Sequence, residues 1–319
     1  MSGGTAELLH EAETDVTVAS EIAARSPFQL FWRRLKKDKV ALVALAVVLL
    51  MLFMAILAPL IVKILGLPHP NTQNDNLLDD FGQPTGPSSA HLMGVDDRGR
   101  DVFSRVIYGA RVSLQVAFIA TFITLVVGVT VGMTAGYFRG KFDTFISRVM
   151  DLFLAFPVLV LAIGIGVACA DGCGPLQPGL PVVIFVISLT SWPYIARIVR
   201  GQVLSMRERE FVESAKSLGA SHRRIIFKEI LPNLVAPIIV YGTVLIPQNI
   251  LYEAALSFLG VGVPPDQPSW GAMISDATSI FKDAWWFMLF PGLFLLITVL
   301  AFNIVGDGLQ DALNPKTAK

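Results

Sequence analysis

Six apolar stretches constrain this chain more than any other feature. They run from Val40 to Val62, Val112 to Tyr137, Leu152 to Ala170, Leu180 to Ala196, Leu234 to Tyr252 and Ala284 to Gly306. Each is long enough, or nearly so, to cross about 30 Å of hydrocarbon as a helix rising roughly 1.5 Å per residue. A backbone in lipid has to satisfy its own N–H and C=O groups, so each run is expected to be a transmembrane helix. The fourth is the shortest, at 17 residues with Pro181 and Pro193 inside it. It must nevertheless cross if the loops on either side are to lie on opposite faces. Composition agrees, because 54% of the residues are hydrophobic and only 16% charged, against about 25% charged in a soluble domain. The formal net charge is zero, which leaves no global basic field to recruit nucleic acid. The expectation is an all-α membrane protein with six transmembrane helices and membrane lipid as its surroundings.

Orientation follows from where the positive charge falls. Of the 25 Lys and Arg residues, 19 lie before residue 40, in 138–151, in 197–233 or in the tail. The other six are Lys63, Arg98, Arg100, Arg105, Arg111 and Lys282. The positive-inside bias therefore places both termini and Gly140 in the cytoplasm, with Thr85 and Asp266 outside. The first span is expected to stay as an anchor, since 39 residues precede it and no small-residue cleavage pattern follows before Pro59 and Lys63.

The chain divides accordingly. Residues 1–25 are polar and small and are expected to form a disordered cytoplasmic tail. In 26–62, Ser26 can cap a helix starting at Pro27, where Phe28, Phe31, Trp32 and Leu35 oppose Arg33, Arg34, Lys36 and Lys37. That pattern predicts an interfacial helix leading into the first span. Residues 63–111, rich in Pro, Asn, Asp and Gly, form an external loop; 112–306 hold five spans; 307–319 are a cytoplasmic tail. Gly128, Gly132, Gly136 and Gly140 leave one helix face without side chains, which predicts close helix packing. Cys169 and Cys173, at the outer end of the third span, either form a local disulfide or stand as two unpaired small residues. His10, His69, His91 and His222 are scattered away from them, so no metal site is expected.

Ionisable groups are nearly absent from the spans, where an ion-coupled secondary transporter would be expected to carry them. Glu253 is the exception, near the outer interface. It either hydrogen-bonds to protein or meets external water, or it faces the translocation path. A membrane enzyme would need a nucleophile and base or metal ligands at depth, and no Gly-x-Ser-x-Gly, His-Glu-x-x-His or intramembrane histidine supplies them.

The loop 197–233 is far longer than a connection requires. Ser205 and Glu208 have the spacing of a capping box, with a first helix expected from Arg207 to Leu218 and Gly219 as its left-handed stop. Ser221 can cap a second helix ending before Pro232. Such a hairpin, pinned between two spans, can pass a push or pull from a soluble partner to the membrane helices.

At these residues a specific likeness emerges. Glu213-Ser214-Ala215, three residues, Gly219 and then Leu231-Pro232 resemble the Glu-Ala-Ala signature of ABC importer permeases, which docks in a groove of the ATPase subunit. Ser214 replaces the first Ala, and Glu229 stands at the Ile position with Ile230 one place later. Three further stretches resemble the C-type permease subunits of dipeptide, oligopeptide and nickel importers: His91 to Asp101, Pro268 to Met273 and Phe302 to Lys316. The likeness implies a type I importer permease fold in a bacterial or archaeal cytoplasmic membrane. It implies a peptide cargo, with nickel or another small solute as the alternative. The implied partners are a homologous second permease, two ATPase subunits and an extracytoplasmic solute-binding protein. Glu210, Phe211, Glu213, Ser214, Ala215, Gly219, Ala220, Leu231 and Pro232 become the candidate ATPase-coupling residues, and Glu253 the candidate path residue. No catalytic residue and no cofactor of the chain's own are implied. Gly136 to Lys141 reads Gly-Tyr-Phe-Arg-Gly-Lys followed by Phe, which is not a phosphate-binding loop, so ATP and Mg are expected on partner chains.

Overall fold

The computed structural model describes residues 32, 33, 35–264 and 266–313. The expected tail 1–25, the Ser26 cap, Pro27, Phe28 and Phe31 lie outside the described residues. Trp32, Arg33 and Leu35 to Lys37 are helical, and Leu35 is buried with Ala41 and Ala312.

Helix α1 spans Lys39–Ile56, its start fixed by the Asp38 carboxylate, which accepts from the N–H groups of Val40 and Ala41, both at 3.0 Å. A short α2, Ala58–Ile64, continues it with Pro59 in the first turn, where a missing N–H costs nothing. Helix α3 runs over Val102–Phe138, and Asp101 caps it by accepting from Ser104 N–H at 2.7 Å. It begins ten residues earlier than the apolar run indicates. Val102, Val106, Ile107 and Ala110 repeat at helical spacing and are buried, so Arg105 and Arg111 are helix residues rather than loop residues.

The third expected span is corrected most. In place of one helix from Leu152 to Ala170 there are two, α4 over Gly140–Ala155 and α5 over Val158–Ala168, bent by 91°. The cause is Pro157. Its ring disfavours the helical region for the preceding residue, and Phe156 is accordingly extended at φ −92°, ψ 142°. Helix α4 takes up the expected 138–151 loop and carries Lys141, Asp143, Arg148 and Asp151.

Helix α6 spans Leu180–Met206, α7 spans Glu210–Ser217 and α8 spans His222–Phe258. Then α9 covers Trp270–Ala277 and α10 Trp285–Leu313. Among the described residues α1, α3, α6, α8 and α10 are each long and apolar enough to cross a membrane, and the bent α4–α5 pair is a sixth candidate.

The glycine repeat holds α3 against α6. A Cβ on Gly128 would sit 2.8 Å from Ile195 Cβ, on Gly132 2.5 Å from the Ala196 carbonyl oxygen, and on Gly136 2.9 Å from the Arg200 carbonyl oxygen. The backbones approach because no side chain intervenes. Gly140 does not share in this contact, since nothing lies within 4 Å of its Cβ position.

At the opposite end of α3 the loop residues fold back on the helices. Asp96 is fully buried and accepts from Arg98 N–H and Arg100 N–H, each at 2.9 Å, and from Arg100 Nε at 2.6 Å, with Arg105 Nε at 3.3 Å. The Trp286 indole donates to the Val95 carbonyl at 3.0 Å, and the buried Trp270 indole donates to the Val106 carbonyl at 3.1 Å. The His91–Asp101 and Pro268–Met273 stretches are thus staples that tie this loop and α9 to α3 and α10. Cys169 and Cys173 are joined as a disulfide.

Candidate functional site

The segment between α6 and α8 forms a hairpin, with bounds that differ from the sequence expectation. Helix α6 continues through Ser205 to Met206, so the Ser205–Glu208 capping box does not form. Glu208 instead pairs with Arg139 at 2.5 Å. Helix α7 starts at Glu210 without a side-chain cap. Its end is as expected: Gly219 has φ +76°, Gly219 N–H donates to the Lys216 carbonyl at 2.9 Å, and Ala220 N–H reaches back to the Ala215 carbonyl at 3.0 Å. That paired closure satisfies carbonyls the helix end would otherwise leave open. Ser221 caps the next helix, accepting from Arg224 N–H at 3.4 Å.

That next helix does not stop before Pro232. A π turn over Ile225–Ile230 runs directly into the remainder of α8. The π turn has already opened the ordinary ladder, with Leu231 N–H donating to the Ile226 carbonyl, so the missing N–H of Pro232 falls where little is lost. The second arm of the hairpin and the membrane helix are therefore continuous from His222 to Phe258.

The nine candidate coupling residues separate by face. Val212 is fully buried, and Ala215, Ala220 and Leu231 pack beside it on a cluster of Met133, Tyr137, Val203, Ile225 and Ile230. Glu210, Phe211, Glu213, Ser214 and Gly219 face outward, as does Pro232. The sequence did not single out Leu218, yet its side chain is 87% exposed at the tip, one helical turn beyond Ser214. Phe211, Ser214 and the C-cap Leu218, spaced i, i+3 and i+7, lie on one outward-facing stripe of α7, with Phe211 still 39% exposed.

A second set of residues, missed in the sequence because its members are far apart, locks the hairpin to the end of α3. Tyr137 Oη bonds His222 Nδ1 at 2.8 Å, and the Arg207 guanidinium donates to the Tyr137 carbonyl while lying 5.8 Å over its ring. The hydrogen bond from Arg139 holds the Glu208 carboxyl below its usual range. Asp143 of α4 takes two bonds from Arg200 of α6, at 2.5 and 2.9 Å. The residues flanking α7 are thus tied to α3, and α4 is tied to α6.

Glu253 lies elsewhere, enclosed between α3, α8 and α9 with no exposed surface. Its carboxylate accepts from Ser113 Oγ and Ser257 Oγ, both at 2.8 Å. In this conformation it meets protein hydroxyls rather than an open path. Among the described residues no group of three or more His, Cys, Asp or Glu is placed to hold a metal ion.

Residues 128–319 match the family described as binding-protein-dependent transport system inner membrane component, and residues 26–84 match the N-terminal TM domain of oligopeptide transport permease C. The chain is 43% identical over 296 residues to a dipeptide transport system permease protein of Alkalihalophilus pseudofirmus, covering 93% of this chain and 92% of that one. It is 42% identical over 292 residues to a glutathione transport system permease protein of Salmonella paratyphi A, covering 92% and 91%. Among solved structures, the inward-facing MetNI methionine ABC transporter aligns with TM-score 0.56 at 21% identity, over 66% of this chain and 96% of that chain. An amino acid ABC transporter aligns with TM-score 0.51 at 16% identity, over 65% and 94%. The fold is that of a type I ABC importer permease, and the chain belongs to the family of binding-protein-dependent transport system inner membrane components.

Proposed function

We propose that the chain is one of two permease subunits of an ATP-driven peptide importer, and that α7 is the surface on which an ATPase subunit docks. The observation that carries this is the outward-facing stripe of Phe211, Ser214 and Leu218 on a hairpin continuous with a membrane helix. Leu218 and Phe211 on one face of the hairpin offer adjoining apolar surface that suits a groove of a partner. The relatives named for dipeptide and glutathione transport support a peptide cargo.

The remaining parts follow as one scheme. The hairpin end faces the cytoplasm, a reading the concentration of Lys and Arg there supports, and the 65–101 end faces outward to receive cargo from a solute-binding protein. ATP and Mg bind to the partner ATPase chains. Closure of those chains moves α7, and the clamp of Tyr137, Arg207 and His222 carries the movement into α3 and α8.

Reconstitution tests the proposal. Proteoliposomes holding this chain with its neighbouring permease and ATPase gene products should take up radiolabelled trialanine when supplied with ATP inside and the binding protein outside. Uptake of nickel ion alone, with none of the peptide, would reject the cargo; uptake independent of ATP would reject the class.

A further inference from the structure

The bend between α4 and α5 opens a cleft of about 210 Å³ against α6 and α8. Its polar lining is Thr190, Ser191 and Tyr194 from α6 with Gln248 and Tyr252 from α8, and Leu154 and Val158 flank the bend. We propose that this cleft is a cargo subsite that hydrogen-bonds the uncharged amide groups of a peptide backbone in transit. The proposal rests on the peptide-importer reading and adds to it the residues that meet the cargo.

Three observations converge. Ser191 is among the residues lining the cleft and is buried to 7% exposure, and its Oγ has no hydrogen-bond partner among the described residues, although a buried hydroxyl is normally paired. Gln248 Nε2 donates to Tyr252 Oη at 2.9 Å, which leaves the Gln248 carbonyl as an acceptor beside the Tyr252 hydroxyl proton as a donor. An acceptor next to a donor is the complement of a peptide N–H and C=O. Finally, the extended Phe156 and Pro157 break the helix between Leu154 and Val158, both of which line the cleft, so that wall is not closed by a continuous helix.

The cleft's chemistry also accounts for tolerance. No charged side chain lines it, so it grips what all peptides share and ignores how their side chains differ. At ~30 Å³ per water it holds about seven waters, room for a short length of backbone. The larger cavity between α3 and α6, about 520 Å³, is lined chiefly by Ile119, Ile123, Val127 and Leu189 and offers a backbone little to bond.

The test uses the whole importer in proteoliposomes, with trialanine and its analogue N-methylated at the middle amide as probes. The double variant Ser191→Ala with Gln248→Leu should lower trialanine uptake about tenfold, the equivalent of one or two lost hydrogen bonds. The preference for trialanine over the methylated analogue should shrink with it, while subunits co-purify and ATP hydrolysis stays within about twofold. Normal trialanine uptake, or an undiminished preference in the variant, overturns the subsite and leaves the importer reading standing. Absence of trialanine uptake by the unmodified importer overturns the importer reading and the subsite with it. Should the double variant fail to assemble, p-benzoylphenylalanine at Tyr194, which is 52% exposed, decides the matter. Photolysis during turnover should join it to labelled peptide, and adducts to the second permease or lipid alone would overturn the assignment.

Discussion

Gly219→Val probes the hairpin most cleanly because its cost is conformational alone. Gly219 has φ +76° and nothing lies within 4 Å of where a Cβ would stand, so no clash contributes. A β-branched residue held in that left-handed region costs about 1 to 3 kcal/mol. Relief comes only by losing the paired closure from Gly219 N–H to Lys216 and from Ala220 N–H to Ala215. At tenfold per 1.4 kcal/mol, the open hairpin becomes about five to 140 times more populated. Hydrogen exchange of the amides at positions 219 and 220 should accelerate by the same factor relative to each residue's intrinsic rate, since both are released in the opening. Peptide uptake per ATP hydrolysed should fall while the spans stay folded. Gly219→Asn should lose far less, because Asn tolerates the left-handed region. Equal behaviour of the Val and Asn variants, or unchanged exchange in both, would refute the reasoning.

Other outcomes follow from the same contacts. Gly132→Leu should part α3 from α6 and cost several kcal/mol, on the order of 1 to 3 or more for overpacking, read as a lower thermal midpoint in detergent and lost subunit assembly. Trp270→Ala should cost about 3 to 5 kcal/mol by the same measurement, for it empties the fully buried contact among α3, α9 and α10. Glu253→Gln should leave the ratio of uptake for free and acetylated peptides unchanged, because Ser113 and Ser257 enclose the carboxylate; a selective loss for free amino termini would place it in the path. Burial and the neighbouring Asp96 push the Asp97 carboxyl above its ordinary value. Its folded form therefore holds a proton more tightly than the unfolded chain, and that contribution is fully present below about pH 4 and lost as pH rises. Asp97→Asn should raise the thermal midpoint at pH 7 by a small amount and leave it unchanged near pH 4.

The apolar runs located the long helices because burial in lipid writes itself into composition, residue by residue. Ends were harder. Asp101 could have announced the start of α3, but charged residues before Val112 read as loop when only hydropathy is counted. Proline was ambiguous for a physical reason: Pro193, Pro247 and Pro291 sit inside helices, whereas Pro157 follows a residue driven into extended conformation. Gly219 and Ser221 were legible, since a left-handed stop and a cap are local. The Ser205–Glu208 pattern failed because a tertiary partner, Arg139, outcompeted the local bond, and nothing within the segment encodes that. The Tyr137–Arg207–His222 clamp was invisible for the same reason, its members being brought together only by the fold. The cleft at the α4–α5 bend leaves no mark in the apolar run, because the hydropathy around Pro157 is the same whether or not the helix bends there.

On the proposed function the α7 tip meets the ATPase and the opposite end of α3 does not. Leu218 and Phe81 are nearly equally exposed, at 87% and 89%, and lie at opposite ends of the helical bundle. The 37 residues of α3 between those ends span about 55 Å. With p-benzoylphenylalanine placed at each position in the assembled importer, photolysis should join position 218 to an ATPase subunit and position 81 to none. Adducts of the ATPase at position 81, or none at 218 in an importer that transports, would contradict the account.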